Sequence, residues 1–442
     1  MWGYYFGLAL RSSGRNKALT ALVIMLLAFG VAACMVSYAV FRVTTGNPVP
    51  TKSSQLFVPQ VDNVGPSYNW DGDPRAGLSY NDAMALWKAH EAKRQTILFA
   101  STWQLNPADR PTQAMSLNGN AATADFFPMF DVPFLFGSGW TADDDARHAT
   151  VAVISQHLNE MLFSGRSSIG REIRLDGQLF RIIGVLKDWN PRPRFFDIGS
   201  HGTTAYSFDD AGDIYVPFTR ATDMKKDSKF VFCPTASWQS DTVHWDAYLH
   251  SECDRIDAWV QLDTPAEVVH YREFLHNYAA EQQRLGRFAW APNVRLRNLT
   301  DWLSYQLGTP RVSSLSMLVS GSFLVIVLVN VVGLMLARFM RRAPEIGVRR
   351  ALGASRAAIY RQFLAEAVTV GLFGGLLGVV LTLLGVLGAE HLFAPNIARL
   401  VHADISLITL TVLVAVSATV AAALYPTWRA AQIQPAWQIK IH

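Results

Sequence analysis

Residues Arg341 to Ala367 read RRAPEIGVRRALGASRAAIYRQFLAEA, a basic amphipathic stretch caught between two long apolar runs. Pro344 suits a first helical turn. Glu345 stands four residues before Arg349, the favourable order for an ion pair on one helix face. Gly353 reads as a helix stop and Ser355 as the cap of the next helix. The stretch predicts a short helix, a break, and a second helix that enters the following apolar run. Ile346, Val348 and Leu352 are apolar, yet this short helix has no domain of its own to pack on. Two readings are open: a helix lying on the membrane surface, or a docking surface for a soluble partner.

Working outward, four apolar runs span residues 18–41, 312–337, 367–389 and 405–428. Each exceeds the roughly 20 residues needed to cross a hydrocarbon core. The chain is 50% hydrophobic, too apolar for an ordinary soluble protein, and 17% charged, too polar for spans alone. A membrane protein with four transmembrane α-helices follows, one plus three, with a large α/β domain at 42–311 between the first and second. Val31-Ala32-Ala33-Cys34 resembles a lipoprotein cleavage box, but apolar character continues to Phe41, so a retained span is expected. Aromatic residues Trp2, Tyr4, Tyr5 and Phe6 predict an interfacial lead-in helix over 1–17.

Lys and Arg near the span ends set the orientation. Arg11, Arg15 and Lys17 precede the first span; Arg338, Arg341, Arg342, Arg349, Arg350, Arg356 and Arg361 lie between the second and third; Arg429 and Lys440 follow the fourth. The opposite side carries few: Arg42, Lys52, Arg311 and Arg399. Both termini, segment 338–366 and tail 429–442 are expected in the cytoplasm. The large domain and the short loop 390–404 are expected outside, in the periplasm of a Gram-negative cell. The net charge of +4 reflects these cytoplasmic arginines, and no basic run interleaved with aromatics points to nucleic acid.

In the large domain, strands are predicted near 55–58, 96–103, 150–154, 256–262 and 294–297, and helices over 81–93 and 156–163. Glu172 to Leu186 predicts a hairpin turning at Asp176-Gly177, a pair suited to a type I′ turn. Thr264-Pro265-Ala266-Glu267 predicts a capped helix start, with Gly286 as its stop. Residues about 118–250 read as a subdomain inserted into an outer βα frame.

The chemistry-bearing motifs are sparse. No GxxxxGK[ST], GxSxG, HExxH or paired CxxC occurs, so no catalytic residues and no metal site are assigned. Asp143-Asp144-Asp145 reads as a solvated acidic loop, with cation binding as the alternative. Cys233 and Cys253 have three readings: a disulfide worth roughly 3 kcal/mol, free thiols, or a zinc site with His244 and His250. Gly371 with Gly375, and Gly374 with Gly378, form overlapping GxxxG pairs that let helices approach closely; the alternative is generic small-residue packing within one subunit. Asn330, in mid-span, should face protein rather than lipid.

EIGVRRALGAS at 345–355, followed by RQFLAEA at 361–367, resembles the cytoplasmic element of MacB/FtsX-type ABC transporter permeases, including the lipoprotein-releasing permeases. The run Tyr425-Pro426-Thr427-Trp428-Arg429-Ala430-Ala431 with Pro435-Ala436 is similar to that family's closing motif. Val151–Phe163 with Gly170, Phe180–Leu186, Phe126, Phe127 and Gly137 resemble its periplasmic core. Residues about 187–255 match nothing in the family pattern.

The resemblance implies mechanotransmission. An ABC ATPase dimer, supplied in trans and holding the ATP and Mg, docks on Glu345, Ile346, Gly347, Val348, Arg349, Arg350, Leu352 and Gly353. Arg361 and Glu366 pass force into the third span. The chain is then a non-catalytic permease subunit of the bacterial inner membrane, binding no cofactor itself. It dimerises through its membrane helices with a second permease chain, identical or paralogous. It drives export or efflux with a periplasmic adaptor and an outer-membrane channel. The alternatives within the family are regulation of a periplasmic enzyme or sensor, and lipoprotein release. Outside it stand a membrane-anchored periplasmic enzyme and a passive scaffold.

Overall fold

The computed structural model describes residues 17–44, 46–69, 72–106, 114–199, 206–234, 244–307, 309–392 and 404–431. The expected lead-in helix, the tail beyond 431 and most of the 390–404 loop lie outside them. The chain divides into two compact units, one of residues 46–308 and one combining 1–45 with 309–442.

The unit 46–308 is built on one ten-stranded mixed sheet. Its strands are β1 (Leu56–Val61), β2 (Arg94–Asn106), β3 (Met115–Ala122), β4 (Phe134–Gly137), β5 (Val151–Ile154), β6 (Glu172–Leu175), β7 (Gln178–Leu186), β8 (Ile214–Pro217), β9 (Asp257–Gln261) and β10 (Val294–Asn298). The order is β10-β1-β9-β2-β3-β8-β5-β7-β4, with β6 pairing both β2 and β7. The frame β10-β1-β9-β2 is antiparallel, and β3 joins β8 in parallel. Strands from the expected insert continue the frame's sheet, so region 118–250 is not a separate body. Its backbone groups satisfy those left open on β2, as an exposed sheet edge requires.

Period-two alternation places the core. On β9, Ala258 and Val260 join Leu86, Tyr271, Leu275 and Ala279 in the main apolar cluster, while Trp259 meets Phe130 and Phe195 elsewhere. Phe126, Phe130, Phe195, Phe196 and Trp189 pack edge-to-face or stacked at centroid separations of 5.0–5.7 Å. Segment 187–199, unassigned from sequence, supplies three of these rings.

Local signals explain the turns and caps. Asp176 and Gly177 both take positive φ, 46° and 83°, as a type I′ turn demands. Thr264 caps helix Pro265–Arg284 by accepting from Glu267 N; the Glu267 carboxylate accepts from Asp263 N, one residue before the expected partner. Helix Tyr80–Ala89 stops earlier than expected, at His90 in the left-handed conformation. Cys233 and Cys253 form a disulfide across 20 residues, which excludes the zinc and free-thiol readings.

The acidic run 143–145 is not a solvated loop. It forms helix Ala142–Ala146, capped by Thr141 in a capping box with Asp144. Asp145 turns inward, accepting from Ala124 N at 2.7 Å, and burial pushes its carboxyl up to about 7.

The second unit holds four apolar helices, Lys17–Thr44, Thr309–Arg341, Arg356–Leu392 and Ile405–Ala431, each long enough to cross a membrane. Small residues set their spacing. A Cβ on Gly371 would lie 2.9 Å from Val416 Cα, and one on Gly375 would lie 3.2 Å from Val412 Cα. Gly374 faces Leu27 in the same way. The GxxxG faces are therefore occupied within one chain by the first and fourth helices, not offered to a second chain. At the far end, Arg42 bonds Asp404 at 3.0 Å, and Asp404 caps the fourth helix through Leu407 N.

Asn330 does not face protein within this chain. It is exposed, in a row with Val319, Phe323, Ile326, Gly333 and Ala337, because the opposite face of the second helix carries Val327, Val331 and Met335 into the core.

Candidate functional site

The break between the second and third spans falls at Arg342, and helix Ala343–Ala351 follows it. Pro344 occupies its first turn, where a missing N–H costs nothing. Glu345 and Arg349 pair at 2.7 Å along the helix, and Arg349 also donates to Gln362 Oε1 at 3.1 Å. Gly353 closes the helix with φ 95°, and Ser355 Oγ accepts from Ala358 N at the start of the third membrane helix.

The helix has two unlike faces. Ile346 is 5% exposed and packs with Ile359, Phe363, Val331 and Met335; Gly347 is buried beside it. Val348 is 60% exposed and Leu352 82%, with Glu345 and Arg349 also open to solvent. The eight residues read as a docking element therefore split: Ile346 and Gly347 anchor the helix, and Val348, Leu352, Glu345 and Arg349 present an outer surface. The Arg350 side chain lies outside the described residues.

The force-transmitting pair also divides. Arg361 is exposed and donates to Ala357 O of its own helix, so the structure gives it no link to another helix among the described residues. Glu366 is 3% exposed and bonds Arg338 Nη2, while Arg342 Nη1 stands 3.3 Å from each carboxylate oxygen. From the sequence both arginines count only towards orientation, and their pairing with Glu366 is not foreseen. Sequence reasoning also begins the third span at 367; the apolar helix runs from Arg356 to Gly388, so Glu366 lies inside it. The available signal was one acidic residue at the edge of an apolar run, which demands a cation when buried.

Ser155, His157 and Asp213 line a cavity in the globular unit. Ser155 donates to Asp213 at 2.6 Å and caps helix Gln156–Phe163, so the hydroxyl serves a cap rather than a base. Among the described residues no group of three or more His, Cys, Asp or Glu is placed to hold a metal ion.

One apolar helix, a mixed-sheet domain, three further apolar helices and an amphipathic helix between two of them define a multi-pass membrane protein with a large globular domain. Residues 20–266 match the family model described as MacB-like periplasmic core domain, and residues 317–435 match FtsX-like permease C-terminal. The chain belongs to the MacB/FtsX-type family of ABC transporter permeases.

Two relatives illustrate the distance. The macrolide export ATP-binding/permease protein MacB of Azoarcus sp. (strain BH72) is 28% identical over 282 residues, 64% of this chain and 36% of the relative. The pyoverdine export ATP-binding/permease protein PvdT of Pseudomonas putida is 26% identical over 380 residues, 85% of this chain and 50% of the relative. The chain thus spans half or less of the length of these curated relatives. The periplasmic region of MacB from Actinobacillus actinomycetemcomitans aligns over 58% of this chain and 94% of its own length at 14% identity with a TM-score of 0.36.

Proposed function

We propose that this chain is the non-catalytic permease subunit of an export-type ABC system, and that an ABC ATPase dimer docks on the outer face of helix Ala343–Ala351. The observation that carries this reading is the split of that helix: Ile346 is anchored among the membrane helices while Val348 and Leu352 stand open. An anchored helix with an apolar outer face can both receive a partner and pass on its movement. The ATP and Mg belong to that partner, and the permease holds no cofactor. The helix lies in the cytoplasm with both termini, as the arginine distribution favours, and the membrane is the inner membrane. The stroke ends at the sheet domain, which moves cargo with a periplasmic adaptor and an outer-membrane channel.

The test is co-purification of the ATPase with the full chain from detergent extracts. Leu352→Asp removes an apolar anchor worth about 2 kcal/mol, so the dissociation constant is expected to rise about thirtyfold. Unchanged capture of the ATPase overturns the docking surface.

A second permease chain packs along the second membrane helix in this reading. Val319, Phe323, Ile326, Asn330, Gly333 and Ala337 recur at alternating spacings of four and three, the seam of a helix pair, and all are exposed within one chain. Asn330 then meets its counterpart, which removes an amide from hydrocarbon. Asn330→Leu is expected to weaken self-association about three- to thirtyfold, from roughly 0.6–2 kcal/mol per interhelical polar contact. Energy transfer between labelled chains in vesicles measures it; association equal to the parent's would leave this face to lipid.

A further inference from the structure

We propose that the Glu366 carboxylate is the joint through which movement of helix Ala343–Ala351 reaches the third membrane helix, with Arg342 as the moving partner and Arg338 as the fixed one. This rests on the docking reading above. Arg338 lies within the last turn of the second membrane helix, and Arg342 occupies the break that follows it. Glu366 reaches both from the third helix.

The two contacts differ in kind. Arg338 is 4% exposed and makes the closer bond. Arg342 is less buried, and one of its nitrogens stands 3.3 Å from both carboxylate oxygens. A buried carboxylate stripped of all cations is costly, whereas one that keeps a single arginine remains compensated. Arg342 can therefore move away and leave Glu366 compensated, whereas Arg338, itself buried, would become a buried cation without its partner if it left.

The lever is engaged at two points on one face. Arg342 meets Glu366, and Ile346, four residues on, meets Ile359 and Phe363. Residues 359, 363 and 366 lie along one face of the third helix at spacings of four and three. A push on the outer surface at Val348 and Leu352 thus acts on the third helix through one ionic and one apolar contact. Arg361, exposed on that helix, takes no part.

The experiment uses the full chain in lipid nanodiscs with Cys34→Ser, and spin labels on Pro344→Cys and Ala357→Cys, both exposed positions. Without ATPase, the parent should show one narrow distance distribution. Arg342→Gln removes a charge-assisted bond and is expected to raise the detached population about tenfold. It leaves the Arg338–Glu366 pair intact, so the melting temperature should stay at the parent's value. Arg342→Lys should restore the narrow distribution, because a single nitrogen spans both oxygens and a point charge can replace it. A distribution unchanged by Arg342→Gln, or no recovery with Lys, overturns the joint.

With ATPase present, Arg342→Gln should keep binding and lose about tenfold in stimulated hydrolysis. If the unmodified chain binds no ATPase, the docking reading falls and the joint's role with it. If ATPase binds and Arg342→Gln is stimulated like the parent, only the joint falls.

Discussion

Arg287→Met is expected to destabilise the globular unit by about 3–5 kcal/mol, the cost of leaving buried charge without its partner. Arg287 bonds both oxygens of Asp82, at 2.6 and 2.8 Å, and both oxygens of Glu252, each at 2.7 Å. Asp82 is fully buried and also accepts from Tyr278 at 2.7 Å. Ser79, which caps helix Tyr80–Ala89, receives a further bond from Arg287 at 3.0 Å. One guanidinium therefore joins a helix start, the end of helix Pro265–Arg284 and the segment beside Cys253. Methionine fills much of the space and leaves two carboxylates uncompensated. Arg287→Lys keeps the charge but not the planar fork, so it should fall between the two. The measurement is the denaturant midpoint of the full chain in detergent, followed by tryptophan fluorescence. A loss below about 1 kcal/mol would mean that the network is solvated and not structural.

The second large effect is a dependence on pH. Burial raises the Asp145 carboxyl to about 7, against an ordinary value of about 3.9 in an unfolded chain. The folded state holds the proton more tightly, so Asp145 favours folding fully below about pH 4. That contribution is lost as pH rises towards 7, at about 1.4 kcal/mol per pH unit. Asp145→Asn should flatten this part of the stability profile and raise stability at pH 8, because the neutral amide can still accept from Ala124 N. Asp254, buried beside Arg75, is pushed in the same upward direction, so one substitution removes only part of the slope. Unfolding of parent and variant between pH 4 and 8 measures the effect. Parallel profiles would show that the carboxylate is hydrated in solution.

The four apolar helices, the Asp176-Gly177 hairpin, the Thr264 cap and the stop at Gly353 were legible in the sequence. Each depends on a few neighbouring residues: the length of an apolar run, a pair that tolerates positive φ, a hydroxyl three residues before an N–H. The outline of the candidate site was legible for the same reason, since a basic amphipathic stretch between two apolar runs has few homes.

What the sequence could not determine was which faces meet. The same glycines at 371 and 375 suit a neighbour within the chain or in another chain, and the fourth helix of this chain takes them. An amide in mid-span reads as facing protein from cost alone, yet within this chain Asn330 faces out because Val327, Val331 and Met335 take the core. Three consecutive aspartates read as solvated until the tertiary structure turns the third inward onto Ala124 N. Glu366 and its two arginines, 24 and 28 residues away, are joined only when the second and third helices pack. Local sequence determined the elements and where they stop. Tertiary packing decided the partners of each buried charge, because burial is a property of surfaces brought together and not of any single stretch.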